Sequence, residues 1–152
     1  MHGSVAAISI SARKGIPKSN RTSAELKEEW GIVGDAHAGN WHRQVSLLAM
    51  ESIDTMRAKG LKVRPGAFAE NITTQFITLP ELAIGTLLRI GGTVLEITQI
   101  GKECHTRCAI YYKAGDCVMP REGIFARVLN GGVINVGDEV EVLPCAESVT
   151  VR

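Results

Sequence analysis

The stretch GKECHTRCAIY, residues 101–111, gathers two cysteines, a histidine, an arginine and a lysine into one short segment. A thiol attacks, or ligates a soft metal, as its thiolate, so its pKa must fall from about 8.5 towards neutrality, and nearby cations achieve this. Lys102 and His105 lie close to Cys104, and Arg107 directly precedes Cys108. Three chemistries fit these residue types. Cys104, Cys108 and Cys117 form a C-x3-C-x8-C pattern that His37, His42 or His105 would complete as a zinc site, although the usual second close pair of ligands is missing. Cys104 and Cys108 stand one residue further apart than a C-x-x-C redox pair, which leaves a disulfide only to a bent loop. A single reactive thiol among cations is the third. The order Cys-His-x-x-Cys reverses the haem-attachment motif and gives haem no support.

A second constellation is GDAHAGNWHRQ, residues 34–44, where Asp35, His37, Asn40, His42 and Arg43 supply acid, base and hydrogen-bonding groups beside glycines. A capped turn with solvated side chains would explain the same residues, so ligand binding and plain turn structure are balanced here. FAENITT, residues 68–74, adds Glu70, Asn71, Thr73 and Thr74. Arg64, Lys102, Arg107, Arg121 and Arg127 would suit a phosphate, because guanidinium matches phosphate oxygens in pairs. Sequence spacing alone does not bring them together.

The elements that must hold these groups are mostly strands. VAAISIS (5–11) and QVSLLA (44–49) read as strands, and MESIDTMRAKG (50–60) as an amphipathic helix with Ile53 and Met56 inward. TLLRI-GG-TVLEITQI (86–100) predicts a hairpin turning at Gly91-Gly92. TSAELKEEWG (22–31) carries a capping-box pattern, Thr22 with Glu25, that predicts a short helix. REGIFARVLNGG predicts a helical turn over 125–129. NVGDEVEVL echoes AIGTLLRI, and two such entries into strands suit the corners of a small barrel. One domain over residues 1–152, mainly β (α+β), is the expectation.

Composition narrows the class further. Of 152 residues 45% are hydrophobic and 22% charged, and no apolar run approaches the roughly 18–20 residues that would span a bilayer. A net charge of +1 argues against a broad nucleic-acid surface. Four cysteines are too few for a disulfide scaffold, and the N-terminus lacks a secretory pattern, so a cytoplasmic protein with reduced thiols is expected.

Taken in order, GDAHAG, FAENITT, IGTLLRIGGTVLEITQIGKECH, GDCVMPREGIFARVLNGG and VGDEVEVL resemble the MOSC family, the domain also found at the C-terminus of molybdenum-cofactor sulfurases. The likeness runs from about Ser4 to Leu143 and is strongest to small stand-alone bacterial members. It implies a MOSC-type β-barrel with a few short helices. It also implies binding of the molybdenum cofactor (molybdopterin), a pterin with a dithiolene and a phosphate, through a cysteine that ligates molybdenum or carries sulfur. Aligning ITQIGKEC on the small relatives puts that cysteine at Cys104, and aligning TRCAI on the amidoxime-reducing relatives puts it at Cys108; the overall likeness favours Cys104. Cys104, Cys108, His37 and Asp35 are then the candidate catalytic residues. Arg43, Asn71, Lys102, His105 and Arg107 are candidates for holding the cofactor, with Cys104 as metal ligand. No pyridoxal-phosphate domain is present, so a sulfur donor, an electron-transfer protein, a molybdoenzyme or a cofactor-biosynthesis protein is the implied partner. N-hydroxyl reduction and sulfur transfer are the implied activities. A small zinc-binding or structural domain is the alternative.

Overall fold

Alternating apolar residues lay out the regular structure of this chain mainly as strands. The computed structural model describes residues 2–14, 16–101 and 122–143. In chain order the elements are β1 (His2–Ile10), β2 (Ser19–Arg21), β3 (Ser23–Lys27), β4 (Gly31–Ile32), β5 (Val45–Ala49), α1 (Met50–Ala58), β6 (Ile72–Gln75), a 3₁₀ turn (Leu79–Glu81), β7 (Leu87–Ile90), β8 (Thr93–Ile100), β9 (Ile124–Asn130), β10 (Gly132–Asn135) and β11 (Glu139–Val142). Strands pair in the order β11-β7-β8-β9-β5-β6-β1, and β1 returns to β11, closing a seven-stranded barrel. Closure leaves the barrel without the unpaired edges that an open sheet exposes. β2 extends the sheet beside the last residues of β1. Among the described residues only β5 and β6 run parallel. A parallel pair needs a crossover, and α1 with the loop after it supplies one.

Val5, Ile8, Val45, Leu47, Ile72 and Ile97 fill the barrel at 2% exposure or less. A second cluster lies outside the barrel wall, where Ile53 and Met56 of α1 pack on Leu48, Phe68 and Phe125. Full burial of each such side chain contributes about 1.5–3 kcal/mol. β10, β3 and β4 form a separate small sheet that turns Leu26, Ile32 and Ile134 into the barrel's core. Among the described residues no helix is long and apolar enough to cross a membrane.

The mainly-β expectation, the helix at 50–58 and the hairpin agree with the structure. At the hairpin Gly91 takes φ 55° between the paired residues Ile90 and Thr93. Two local expectations do not hold. Residues 23–27 form β3 rather than a helix, with Ala24 and Leu26 inward and Ser23, Glu25 and Lys27 outward. Pairing with β10 and β4 overrides the capping-box pattern. Residues 125–129 belong to β9, paired on both sides by β8 and β5. A strand buried on both faces loses its alternation, and a short apolar run then reads equally well as helix.

Candidate functional site

Lys18 follows a polar loop, yet its side chain is 0% exposed. Its Nζ donates to Asp35 Oδ1 at 2.8 Å and to Ser11 Oγ at 3.1 Å. Asp35, also sealed, accepts in addition from the backbone N–H of Ser11 and of His37. Burial pushes this carboxyl upward, but His37, Lys18 and the two backbone donors outweigh it and hold it below the usual carboxylate range. Asp35 is therefore a fixed anion with its lone pairs engaged. His37 Nδ1 lies 3.7 Å from Asp35 Oδ2, beyond hydrogen-bonding distance, and is buried with no hydrogen-bond partner among the described residues. An orphaned ring nitrogen of this kind is exceptional, since buried polar atoms are almost always satisfied.

Glu70 and Asn71 sit just before β6. Glu70 accepts from Gly66 N at 2.8 Å, Phe68 N at 3.1 Å and Thr73 Oγ1 at 3.2 Å. Burial raises its pKa against the pull of those donors. Gly66, at φ 96°, could carry no side chain: a Cβ would stand 2.5 Å from the Lys18 carbonyl oxygen. Asn71 accepts from Ser46 N at 3.0 Å and donates to Ser9 O at 3.1 Å. It ties β5 to β1, and its amide is occupied by the protein itself.

Arg43 and His42 lie elsewhere, on the outer wall. Gln99, near the end of β8, accepts from Arg43 Nε at 3.0 Å and pairs with His42 Nε2 at 2.9 Å. The Arg43 guanidinium stacks over Phe125, 5.2 Å from the ring centre. Its two terminal nitrogens have no partner among the described residues. Gln99 also donates to Gly101 O at 2.8 Å. The Gly101 N–H in turn donates to Gly123 O, so the described residues on either side of 102–121 are held together here. Trp41 joins the two regions, donating to His37 O at 2.8 Å while its ring meets His42 edge-on.

Cys104, Cys108, Cys117, Cys145, Lys102, His105, Arg107 and Arg121 lie outside the described residues. Among the described residues no three His, Cys, Asp or Glu side chains are grouped to hold a metal. Of the candidates that are described, the structure links Asp35 to His37, engages Asn71 in strand contacts, and sets Arg43 at the root of the cysteine-bearing connection. Sequence reading missed Lys18 and Gln99. A lone lysine in a Pro-Lys-Ser loop gives no local signal of burial, and a glutamine at a half-buried strand position gives none of its partners.

A family model described as MOSC domain matches residues 34–141. The span takes in Asp35, His37, Arg43, Asn71 and all of 102–121, while Lys18 precedes it. The chain is similar to the YuaD protein from Bacillus subtilis, with a TM-score of 0.79 at 19% identity over 93% of this chain and 96% of that one. It is also similar to YiiM from Geobacillus stearothermophilus, TM-score 0.69 at 18% identity over 93% and 75%. YiiM from Escherichia coli matches with a TM-score of 0.66 at 18% identity over 96% and 71%. At these identities the likeness is one of fold. No curated protein matches the sequence.

Proposed function

Because the chain belongs to the MOSC domain family, we propose that it binds the molybdenum cofactor and uses a cysteine of the 102–121 connection, Cys104, to ligate the metal or carry sulfur to it. The observation that carries this reading is the placement of Arg43. Its terminal guanidinium nitrogens, without a partner among the described residues, stand beside Gln99, which bonds Gly101 at the start of that connection, and they suit a phosphate. The donor set fits the group: thiolate is a soft ligand suited to such a metal, and Arg43 with Lys102 and Arg107 offers positive charge to a phosphate. When bound, the cofactor supplies the redox and sulfur-accepting chemistry.

This chain's residues bind and orient. His37 Nδ1, buried and without a hydrogen-bond partner among the described residues, is the ring atom left to meet a ligand. Asp35 and Lys18 are positioning residues, since their charges satisfy each other and the backbone that carries His37. Gln99 fixes the direction of Arg43. Sulfur or electrons would arrive from a separate donor protein, and N-hydroxylated compounds are the substrates to try for a reductase.

The test is anaerobic reconstitution with the cofactor, followed by X-ray absorption at molybdenum for wild type, Cys104→Ala and Cys108→Ala. Loss of a protein-derived sulfur from the metal in Cys104→Ala alone is the expected result. The same loss only in Cys108→Ala moves the role to Cys108. Stoichiometric zinc in place of molybdenum, in protein from a cofactor-competent host, rejects the reading. Loaded wild type that stays inactive on N-hydroxylated compounds with a competent reductase identifies a carrier.

A further inference from the structure

Gln99 decides which ring nitrogen of His42 carries hydrogen. Its Oε1 lies 3.0 Å from Arg43 Nε and 2.9 Å from His42 Nε2. A guanidinium nitrogen can only donate, so the amide atom facing it is the oxygen. The other end of the amide agrees, since Gln99 Nε2 donates to Gly101 O at 2.8 Å. An oxygen can only accept, so His42 must donate to it, and Nε2 holds the hydrogen. In the neutral ring the lone pair then sits on Nδ1, which has no partner among the described residues.

Both side chains are held in place. The Thr98 hydroxyl donates to the His42 carbonyl oxygen, and the imidazole meets the Trp41 ring at an interplanar angle of 70°. Arg43 lies over Phe125 with its Nε engaged, which leaves its terminal nitrogens to face a ligand. Lys14 adds positive charge, 5.3 Å from the centre of the Trp41 ring. Among the described residues no carboxylate pairs with His42 or Arg43.

This set of groups selects among anions. The end of a guanidinium takes two oxygens of an oxyanion. A carboxylate then has no oxygen left for His42, whereas a tetrahedral anion has. A bare Nδ1 needs a hydrogen as well as an oxygen, and that separates two anions of one shape. Inorganic phosphate still carries a proton at neutral pH, and sulfate carries none.

We propose that His42 Nδ1 and the terminal nitrogens of Arg43 form a subsite for a protonated phosphate group. Arg43 donates to two of its oxygens, and its P–O–H donates to His42. Gln99 is the positioning residue, because one oxygen fixes both partners. The proposal rests on the cofactor reading only for which phosphate arrives in the cell, and its test needs no cofactor.

The full chain is titrated with sodium phosphate, sulfate and acetate at neutral pH and followed by NMR of the His42 imidazole and the Arg43 Nε–H. Phosphate should bind at least about tenfold more tightly than sulfate or acetate, the scale of one hydrogen bond to a charged group. His42→Ala should lower phosphate binding to the sulfate level and leave sulfate binding unchanged, a split that a merely structural histidine would not give. Arg43→Met should weaken both anions. Gln99→Met, which leaves both groups present but unfixed, should weaken phosphate severalfold. Equal binding of phosphate and sulfate, a hydrogen found on Nδ1 in place of Nε2, or equal loss of both anions in His42→Ala overturns the proposal. Molybdenum uptake by a chain without the phosphate preference sinks the subsite and keeps the cofactor reading. The preference in a chain that takes up no molybdenum keeps the subsite and rejects that reading.

Discussion

Lys18 with Asp35 and Arg43 with His42 are two charged groups on neighbouring loops, and they are built in opposite ways. Both side chains of the first pair are 0% exposed, and each is satisfied by the other and by Ser11 or His37. In the second, His42 is exposed and Arg43 half-buried, and the terminal nitrogens of Arg43 have no partner among the described residues. A sealed charge must find all its partners inside the protein, which leaves none of its hydrogen-bonding capacity for a ligand. A charge on the wall can be fixed by one neutral contact, here Gln99, and still present itself outward. The residues that look most catalytic by burial and pKa are thus the ones that hold the frame.

The contrast predicts unequal costs. Lys18→Met leaves a buried carboxylate without its cation and should lose about 3–5 kcal/mol in urea unfolding. Arg43→Met should lose about 1 kcal/mol or less, as a partly exposed site does. Equal losses would break the distinction. Gly66→Ala, which drives a Cβ into the Lys18 carbonyl at a positive φ, should cost about 2 kcal/mol or more by the same measurement.

Proton linkage sharpens the same point with two carboxylates of opposite sign. Asp35 has its pKa lowered in the fold. Its contribution to stability is therefore complete above its unfolded value, near pH 4, and is lost as pH falls through the folded value. Glu70 has its pKa raised, so its contribution is present below its unfolded value and is lost as pH rises through the folded one. Denaturation between pH 2.5 and 8 should show Asp35→Asn flattening the acid limb and Glu70→Gln removing the loss on the other side. Changes of the same sign in both variants would refute these environments.

On the open side the readout is binding rather than stability. Arg43→Glu should reduce molybdenum content per protein about tenfold, the scale of a charge-assisted phosphate contact, with little change in the unfolding midpoint. Metal analysis of protein from a cofactor-competent host checks it. The smallest effect is expected at Arg127, which bonds Glu96 at 2.6 Å with both side chains partly exposed. Arg127→Met should change stability by only about 0–1 kcal/mol in thermal unfolding.

Elements whose residues carry one clear periodicity were legible before any coordinates. The alternation and paired glycines of residues 86–100 gave the hairpin, and the inward Ile53 and Met56 gave α1. Where periodicity was masked, reading failed: β9 is buried on both faces, and β3 carries a helix-start pattern on a strand. At the site, residue types marked Asp35, His37 and Arg43 as candidates, yet types do not report satisfaction. That Asn71 clamps β5 to β1 is a fact of three segments meeting.

Sequence by itself determined the chemical inventory, the predominance of strands and the family resemblance, because these rest on residue identity, local period and motif order. Tertiary structure alone decided which charges are sealed and which remain open. Partner choice depends on segments far apart in the chain, as when Lys18 meets Asp35 seventeen residues on and Arg43 meets Gln99 across fifty-six. The free energy of a charged or polar group follows from the water and partners around it, and those are set only once the barrel has closed.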